Sequence, residues 1–200
     1  MALILASSSP FRQTLLSKLG LEFSTESPNI DESRQPNETP EQLVYRLAQD
    51  KAQEVAKSHQ GLIIASDQLA TLQDGLGAQD AVLGKPHTHE NASKQLSACS
   101  GNTVTFMTSL CLLNTNSGNM QTIVETYKVV FRHLTSTQID NYLKKEQPYQ
   151  CAGSFKSEGL GISLFSRLEG DDPNTLIGLP LIQLIQLLDN EGIDVLSSPL

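Results

Sequence analysis

A chain of 200 residues with 38% hydrophobic content is long and apolar enough for one large domain, or two small ones sharing a sheet, and is too apolar to stay disordered. Its formal charge of −8 argues against broad binding to a nucleic-acid backbone, and no apolar run approaches the roughly 18 residues of a membrane span. The N-terminus has no basic leader and serines soon interrupt its apolar run, so a signal peptide is excluded and a cytoplasmic location is expected.

In chain order, Leu3 to Ala6 reads as a buried strand, and Ser7, Ser8 and Ser9 follow it. Ser9 can cap the next helix and Pro10 suits its first turn, with Phe11, Leu15, Leu16 and Leu19 as its apolar face and Gly20 as its end. Residues 21 to 26 suggest a strand, and "SPNIDES" a turn-rich loop carrying Asp31 and Glu32. Thr39-Pro40-Glu41-Gln42 has the capping-box pattern, and the helix it opens is expected to reach about Lys57. "LIIAS" at 62 to 66 is a second buried strand with Asp67 at its end, followed by a polar hairpin or loop, "QDGLGAQDAV".

"GKP" at 84 to 86 is a tight turn before a short helix near 89 to 99. Two long strands, about 102 to 114 and 121 to 133, are joined by "NTNSGN". A helix near 136 to 146 contains Ile139, Tyr142 and Leu143, and 150 to 170 is glycine-rich around another short strand. "LPLIQLIQLLDNEG" closes the chain as an amphipathic helix with Pro180 early and Gly192 at its end. Alternating helices and strands give an α/β class, with the middle strands forming an antiparallel part of a mixed sheet.

Several residues can do chemistry. A helix N-terminus after three serines is either a simple cap or an anion site, and Arg12 adds a bidentate donor. Lys51 falls on a stripe with Leu43, Leu47 and Val55, extended by Val44, Ala48 and Ala52, so it either snorkels to water or meets an anion. Asp67, beyond the carboxyl end of a strand, can cap a turn, bind Mg²⁺ or accept a proton from water. Lys85 on its exposed turn suits phosphate or plain solvent. His87 and His89, two apart on one side of a strand, have no third ligand nearby, so no zinc site is expected. Cys99, Cys111 and Cys151 form no CxxC pair and are expected to be free thiols, and no GxSxG elbow supports a serine hydrolase. Together, Arg12, Lys51, Lys85, Glu32, Asp67 and the serine junction suit a polyphosphate carrying a divalent metal.

"LASSSPFRQTLLSKLG", "NIDES", "LAQDKA", "IIASDQ", "GKP" and "NTLIGLPL" resemble, in this order, the motifs of the Maf family of nucleotide pyrophosphatases. The segment from "FRHLTSTQID" to "NTLIGLPL" is most similar to the subgroup that hydrolyses 7-methyl-GTP. The resemblance implies one domain over 1–200, with an elongated mixed sheet flanked by helices and an active-site cleft, like inosine triphosphate pyrophosphatases. It implies hydrolysis of a nucleoside triphosphate to the monophosphate and pyrophosphate with Mg²⁺ or Mn²⁺, a small-molecule partner, no nucleic acid, no membrane, and homodimerisation as a family trait.

By the same resemblance Asp67 is the proton acceptor, Arg12, Glu32, Lys51 and Lys85 are catalytic, and Glu32 and Asp67 are candidate metal ligands. Phe11, Gln68 and Glu158 fall on positions linked to base specificity, and Ser7, Ser8 and Ser9 on the phosphate loop. The 7-methyl-GTP subgroup often has tryptophan where this chain has Phe11. Other expectations that fit the motifs are a pyrophosphatase for dTTP, UTP or other modified nucleotides, and a nucleotide-binding regulator that has lost catalysis.

Overall fold

A computed structural model describes residues 2–72 and 81–197. Seven strands make one mixed sheet: β1 (Leu3–Ala6), β2 (Ser24–Glu26), β3 (Leu62–Leu72), β4 (Ala81–Leu83), β5 (Thr103–Asn114), β6 (Met120–Phe131) and β7 (Phe165–Glu169). Their order is β2-β1-β3-β5-β6-β7, with β4 also paired to β3. Helices are α1 (Pro10–Ser17), α2 (Pro40–Ala56), α3 (His89–Cys99), α4 (Ser136–Glu146), α5 (Pro173–Ile177) and α6 (Leu181–Asn190). β1 pairs in parallel with β2 and β3, while β3–β4 and β6–β7 are antiparallel. The short turn between neighbouring β5 and β6 leaves no room for a crossover, so they too run antiparallel. This is the mixed α/β sheet expected from the sequence.

The chain forms two compact units. Unit 1 comprises 1–68, 107–125 and 172–200; unit 2 comprises 69–106 and 126–171. In unit 1 the two-residue period of the strands sorts the core. Leu3, Leu5, Leu62, Ile64, Leu110 and Leu112 pack on Leu15 and Leu16 of α1 and on Leu181, Leu184, Leu187 and Leu188 of α6. Their neighbours Ile4, Ala6, Ile63, Ala65, Cys111 and Leu113 pack on Ala48, Ala52 and Val55 of α2. Strands buried on both faces read as continuous apolar runs, which is why "LILA" and "LIIA" stand out in the sequence. In unit 2, α3 packs on α4, and Phe155 meets Phe106, Phe131 and Phe165 edge-to-face at 4.9–5.6 Å between ring centres.

Local signals set the element ends. Thr39 and Thr135 each form a complete capping box, with Gln42 and Gln138 as the reciprocal partners. Four expectations need correction. β3 does not end at Ser66: it continues to Leu72, which puts Asp67 in mid-strand. The Ser109 hydroxyl accepts the Asp67 N–H at 3.0 Å and donates to its carbonyl at 3.2 Å, so polar side chains do not stop the strand there. β2 covers only 24–26, because Leu21 and Phe23 turn onto the apolar core. His87 and His89 do not share a strand: His87 has φ +60° and His89 is the first residue of α3 behind the Thr88 cap. α1 ends at Ser17, and Gly20, with φ +69°, closes the turns after it. Of the polar segment after β3, residues 73–80 lie outside the described residues, and Ala81 and Val82 belong to β4.

Candidate active site

The serine junction is first a capping device. Ser9 is the N-cap of α1, accepting the Arg12 N–H at 3.5 Å, and the Ser7 hydroxyl accepts the Ser9 N–H at 3.1 Å. Ser8 is exposed and its hydroxyl has no partner among the described residues, while Ser7 and Ser9 only accept and keep their O–H donors. Phe11 is 41% exposed, so its ring does not belong to the core face that Leu15 and Leu16 provide.

Arg12 is anchored at one point. Its Nε donates to the Gly178 carbonyl at 2.9 Å, and the Ser66 hydroxyl donates to that same oxygen at 2.9 Å. No described residue is bonded to its terminal nitrogens, and it lies within electrostatic reach of Asp67 and Glu32. Burial pushes the guanidinium below its ordinary range, and the two carboxylates oppose that shift. Gly178 has φ +123°, and a Cβ there would meet Arg12 Nε at 3.5 Å.

Lys51 does not snorkel. It is 7% exposed on the buried face of α2, and its ammonium contacts Asp67 Oδ1 at 2.5 Å and Glu32 Oε1 at 2.7 Å. Glu32 comes from the long loop between β2 and α2, and a second network fixes that loop. Arg46 on α2 holds Glu38 with Nε at 2.7 Å and Nη2 at 3.0 Å, donates to Asp50 at 3.0 Å, and reaches the carbonyl of Ser33, next to Glu32, at 3.0 Å. The Arg46 hydrogen bonds are the main cause holding the Glu38 carboxyl at about 2. Nothing local in the sequence ties Arg46 and Glu38 to the Glu32 loop, and the i,i+4 pairing of Arg46 with Asp50 is their one local signal.

The amide nitrogen of Gln68 donates to Thr108 Oγ1 at 2.8 Å and to the carbonyls of Thr175 and Leu176 at 2.8 and 3.2 Å. Its Oε1 has no partner among the described residues, so Gln68 offers an acceptor. Gly178, Ser66, Ser109 and Thr108 carry no local signal of a role either, although Gly178 lies in the motif "NTLIGLPL". Asp172 caps both α5 and α6, through the Asn174 N–H at 2.8 Å and the Ile182 N–H at 2.9 Å, and so sets the turn that presents the Gly178 carbonyl.

In unit 2, Lys85 is exposed on its turn, and Glu158 is exposed with Ser157 Oγ at 3.3 Å. Both lie within electrostatic reach of Cys151, whose thiol is pushed up first by burial. His89 contacts Asp140 and Tyr149, each at 3.1 Å. Cys99, Cys111 and Cys151 are free thiols, as expected.

Among the described residues no cluster of three or more His, Cys, Asp or Glu side chains could hold a metal. Two carboxylates side by side still fit Mg²⁺, which keeps several waters and takes its remaining oxygens from substrate phosphates.

The profile of the Maf-like protein family matches residues 2–191. The chain belongs to the Maf family. Among its relatives, the 7-methyl-GTP pyrophosphatase of Nitrosococcus oceani is 58% identical over 195 residues, covering 97% of this chain and 95% of that protein. That of Pseudoalteromonas translucida is 56% identical, covering 98% of this chain and 95% of that protein. The Maf sheet described above is also found in the Ham1 protein of Staphylococcus aureus. That structure matches with a TM-score of 0.54 at 14% identity, over 96% of this chain and 100% of the other, a likeness of fold alone. No helix among the described residues of this Maf protein is long and apolar enough to cross a membrane.

Proposed function

We propose that this chain hydrolyses N7-methylguanosine triphosphate to the monophosphate and pyrophosphate, removing a modified nucleotide from the pool. The observation that carries this reading is the similarity, at 55–58% identity over nearly the whole chain, to proteins named 7-methyl-GTP pyrophosphatase.

The site chemistry supports the same reaction. Water attacks the α-phosphorus, the bond from that phosphorus to the bridging oxygen breaks, and pyrophosphate leaves. Asp67 takes the water proton through Oδ2, which has no partner among the described residues, while Oδ1, which Lys51 contacts, is the oxygen available to the cation. Arg12, held by the Gly178 carbonyl, directs its free nitrogens at the phosphates, and Lys51 and Lys85 add charge as the transition state develops. Glu32 and Asp67 would hold a divalent cation, Mg²⁺ or Mn²⁺, which would supply charge neutralisation for the leaving pyrophosphate. The Ser8 hydroxyl and the start of α1 receive a phosphate oxygen. Phe11 stacks on the cationic base, while Gln68 Oε1 and Glu158 accept from the guanine edge.

The test is hydrolysis in ¹⁸O-labelled water over a panel of 7-methyl-GTP, GTP, dTTP and UTP. The expected result is fastest turnover of 7-methyl-GTP, with label in the nucleoside monophosphate. Orthophosphate and a nucleoside diphosphate would overturn the reaction, and a preference for dTTP or UTP would overturn the substrate.

A further inference from the structure

Glu32 and Asp67 already share a cation, the ammonium of Lys51, which sits between one oxygen of each at 2.7 and 2.5 Å. The two oxygens are therefore no farther apart than these contacts laid end to end. A divalent ion with Mg–O bonds of about 2.0–2.1 Å bridges oxygens up to about 4.2 Å apart, so only a small contraction separates the two arrangements. Lys51 Nζ and a bridging metal cannot occupy that point together, because both are cations and the volume is one.

We propose that Lys51 is the resident counterion of the metal pair. Glu32 and Asp67 bind either the Lys51 ammonium or a divalent cation, and binding the cation releases Lys51. The released ammonium, on its flexible four-carbon stem, is then free to meet a phosphate oxygen. An incoming metal–nucleotide brings both halves of the exchange, so the mostly buried Asp67 is not left without a positive partner at any stage. Lys51 is thus a positioning residue for the metal before it is a catalytic residue for the phosphate. The destination of the ammonium rests on the nucleotide reading above; the competition for the carboxylates does not, and it is tested without nucleotide.

Calorimetric titration of Mn²⁺ into the metal-free protein measures the competition. Lys51→Met is expected to bind Mn²⁺ at least tenfold more tightly than the natural chain, and Lys51→Met with Glu32→Gln to lose that gain. Equal or weaker Mn²⁺ binding by Lys51→Met would overturn the proposal. A second measurement needs no variant. The rate of Lys51 acetylation by acetic anhydride, read by peptide mass spectrometry on the natural protein, is expected to rise severalfold at saturating Mn²⁺. An unchanged rate would show that the metal binds without displacing the lysine. Neither result depends on which nucleotide the protein hydrolyses.

Discussion

Lys51 Nζ lies 2.5 Å from Oδ1 of Asp67, sixteen residues downstream, and the other carboxylate oxygen has no partner among the described residues. Asp67→Asn keeps an oxygen for Lys51 and removes the base. Turnover of 7-methyl-GTP should fall by roughly 10²–10⁴, with the fold unchanged by circular dichroism. A purified variant of near-normal turnover would remove Asp67 from the proton-acceptor role.

The apolar stripe of α2 by itself predicts that methionine replaces Lys51 without harm. The ion pairs predict otherwise. Asp67, 15% exposed, would lose its cation and face Glu32, which is 59% exposed and can turn to water. Lys51→Met should therefore destabilise by about 1–3 kcal/mol, less than a fully buried broken pair costs. Adding Asp67→Asn should recover part of the loss. A double-mutant cycle by urea unfolding measures the coupling, and strictly additive effects would mean the pair is energetically idle.

Gly178 is strained for any other residue. At φ +123°, an added Cβ costs about 1–3 kcal/mol of backbone strain, while it makes only ordinary contact with the Arg12 side chain at 3.5 Å. Gly178→Ala should lower the melting temperature and also kcat, because the carbonyl that aims Arg12 shifts. Restoring temperature stability with an unrelated stabilising substitution should leave kcat low. Recovery of both together would mean Gly178 serves the fold alone.

Arg46 controls the loop that carries Glu32. Arg46→Met should raise KM and lower kcat, since the Ser33 carbonyl loses its donor and Glu32 loses its fixed position. The same network gives a pH signature. The Glu38 carboxyl is held at about 2, below its ordinary 4.5. A depressed carboxyl contributes stability that is full above its unfolded value and fades as pH falls through the folded one. The difference in melting temperature between the natural chain and Arg46→Met should thus be constant above about pH 5 and close between 4.5 and about 2. A difference that stays constant to pH 2 would contradict the assignment.

Base choice depends on charge. An exposed aromatic face attracts the cationic 7-methylguanine by about 0.5–2 kcal/mol, and a carboxylate on its N1–H and N2–H₂ edge adds roughly 1.5–3 kcal/mol. Phe11→Ala and Glu158→Gln should each reduce kcat/KM for 7-methyl-GTP more than for UTP. Equal losses on both substrates would assign these residues to the shape of the site.

What the sequence made legible was local or periodic. The strand–serine–helix junction, both threonine capping boxes and the lysine on the α2 stripe all have signatures within a few residues. The same stripe left the fate of Lys51 open, because helical spacing fixes a face but not whether an anion waits there. Asp67 reads as a strand end and not as mid-strand, since Ser66-Asp67-Gln68 breaks the apolar run, and the Ser109 partner that helps to carry the strand through lies far along the chain. The Arg12–Gly178 bond and the Arg46 hold on the Glu32 loop have no local pattern that reveals them: each joins segments that only folding brings together.

Unit 1 is assembled from three separate stretches of chain, and its two ends meet where Arg12 binds the Gly178 carbonyl, 166 residues apart. At a synthesis rate of about 5–20 residues per second, a newly made Arg12 waits on the order of 10–30 s for its anchor. During that time Leu3, Leu5, Leu15 and Leu16 also lack α6, whose leucines cover them in the finished protein. Residues made early in this stretch are thus among the last to find their partners. A growing chain exposes a sticky N-terminal sheet that a holding chaperone would recognise, and it gains an ordered Arg12 only when the C-terminal stretch emerges.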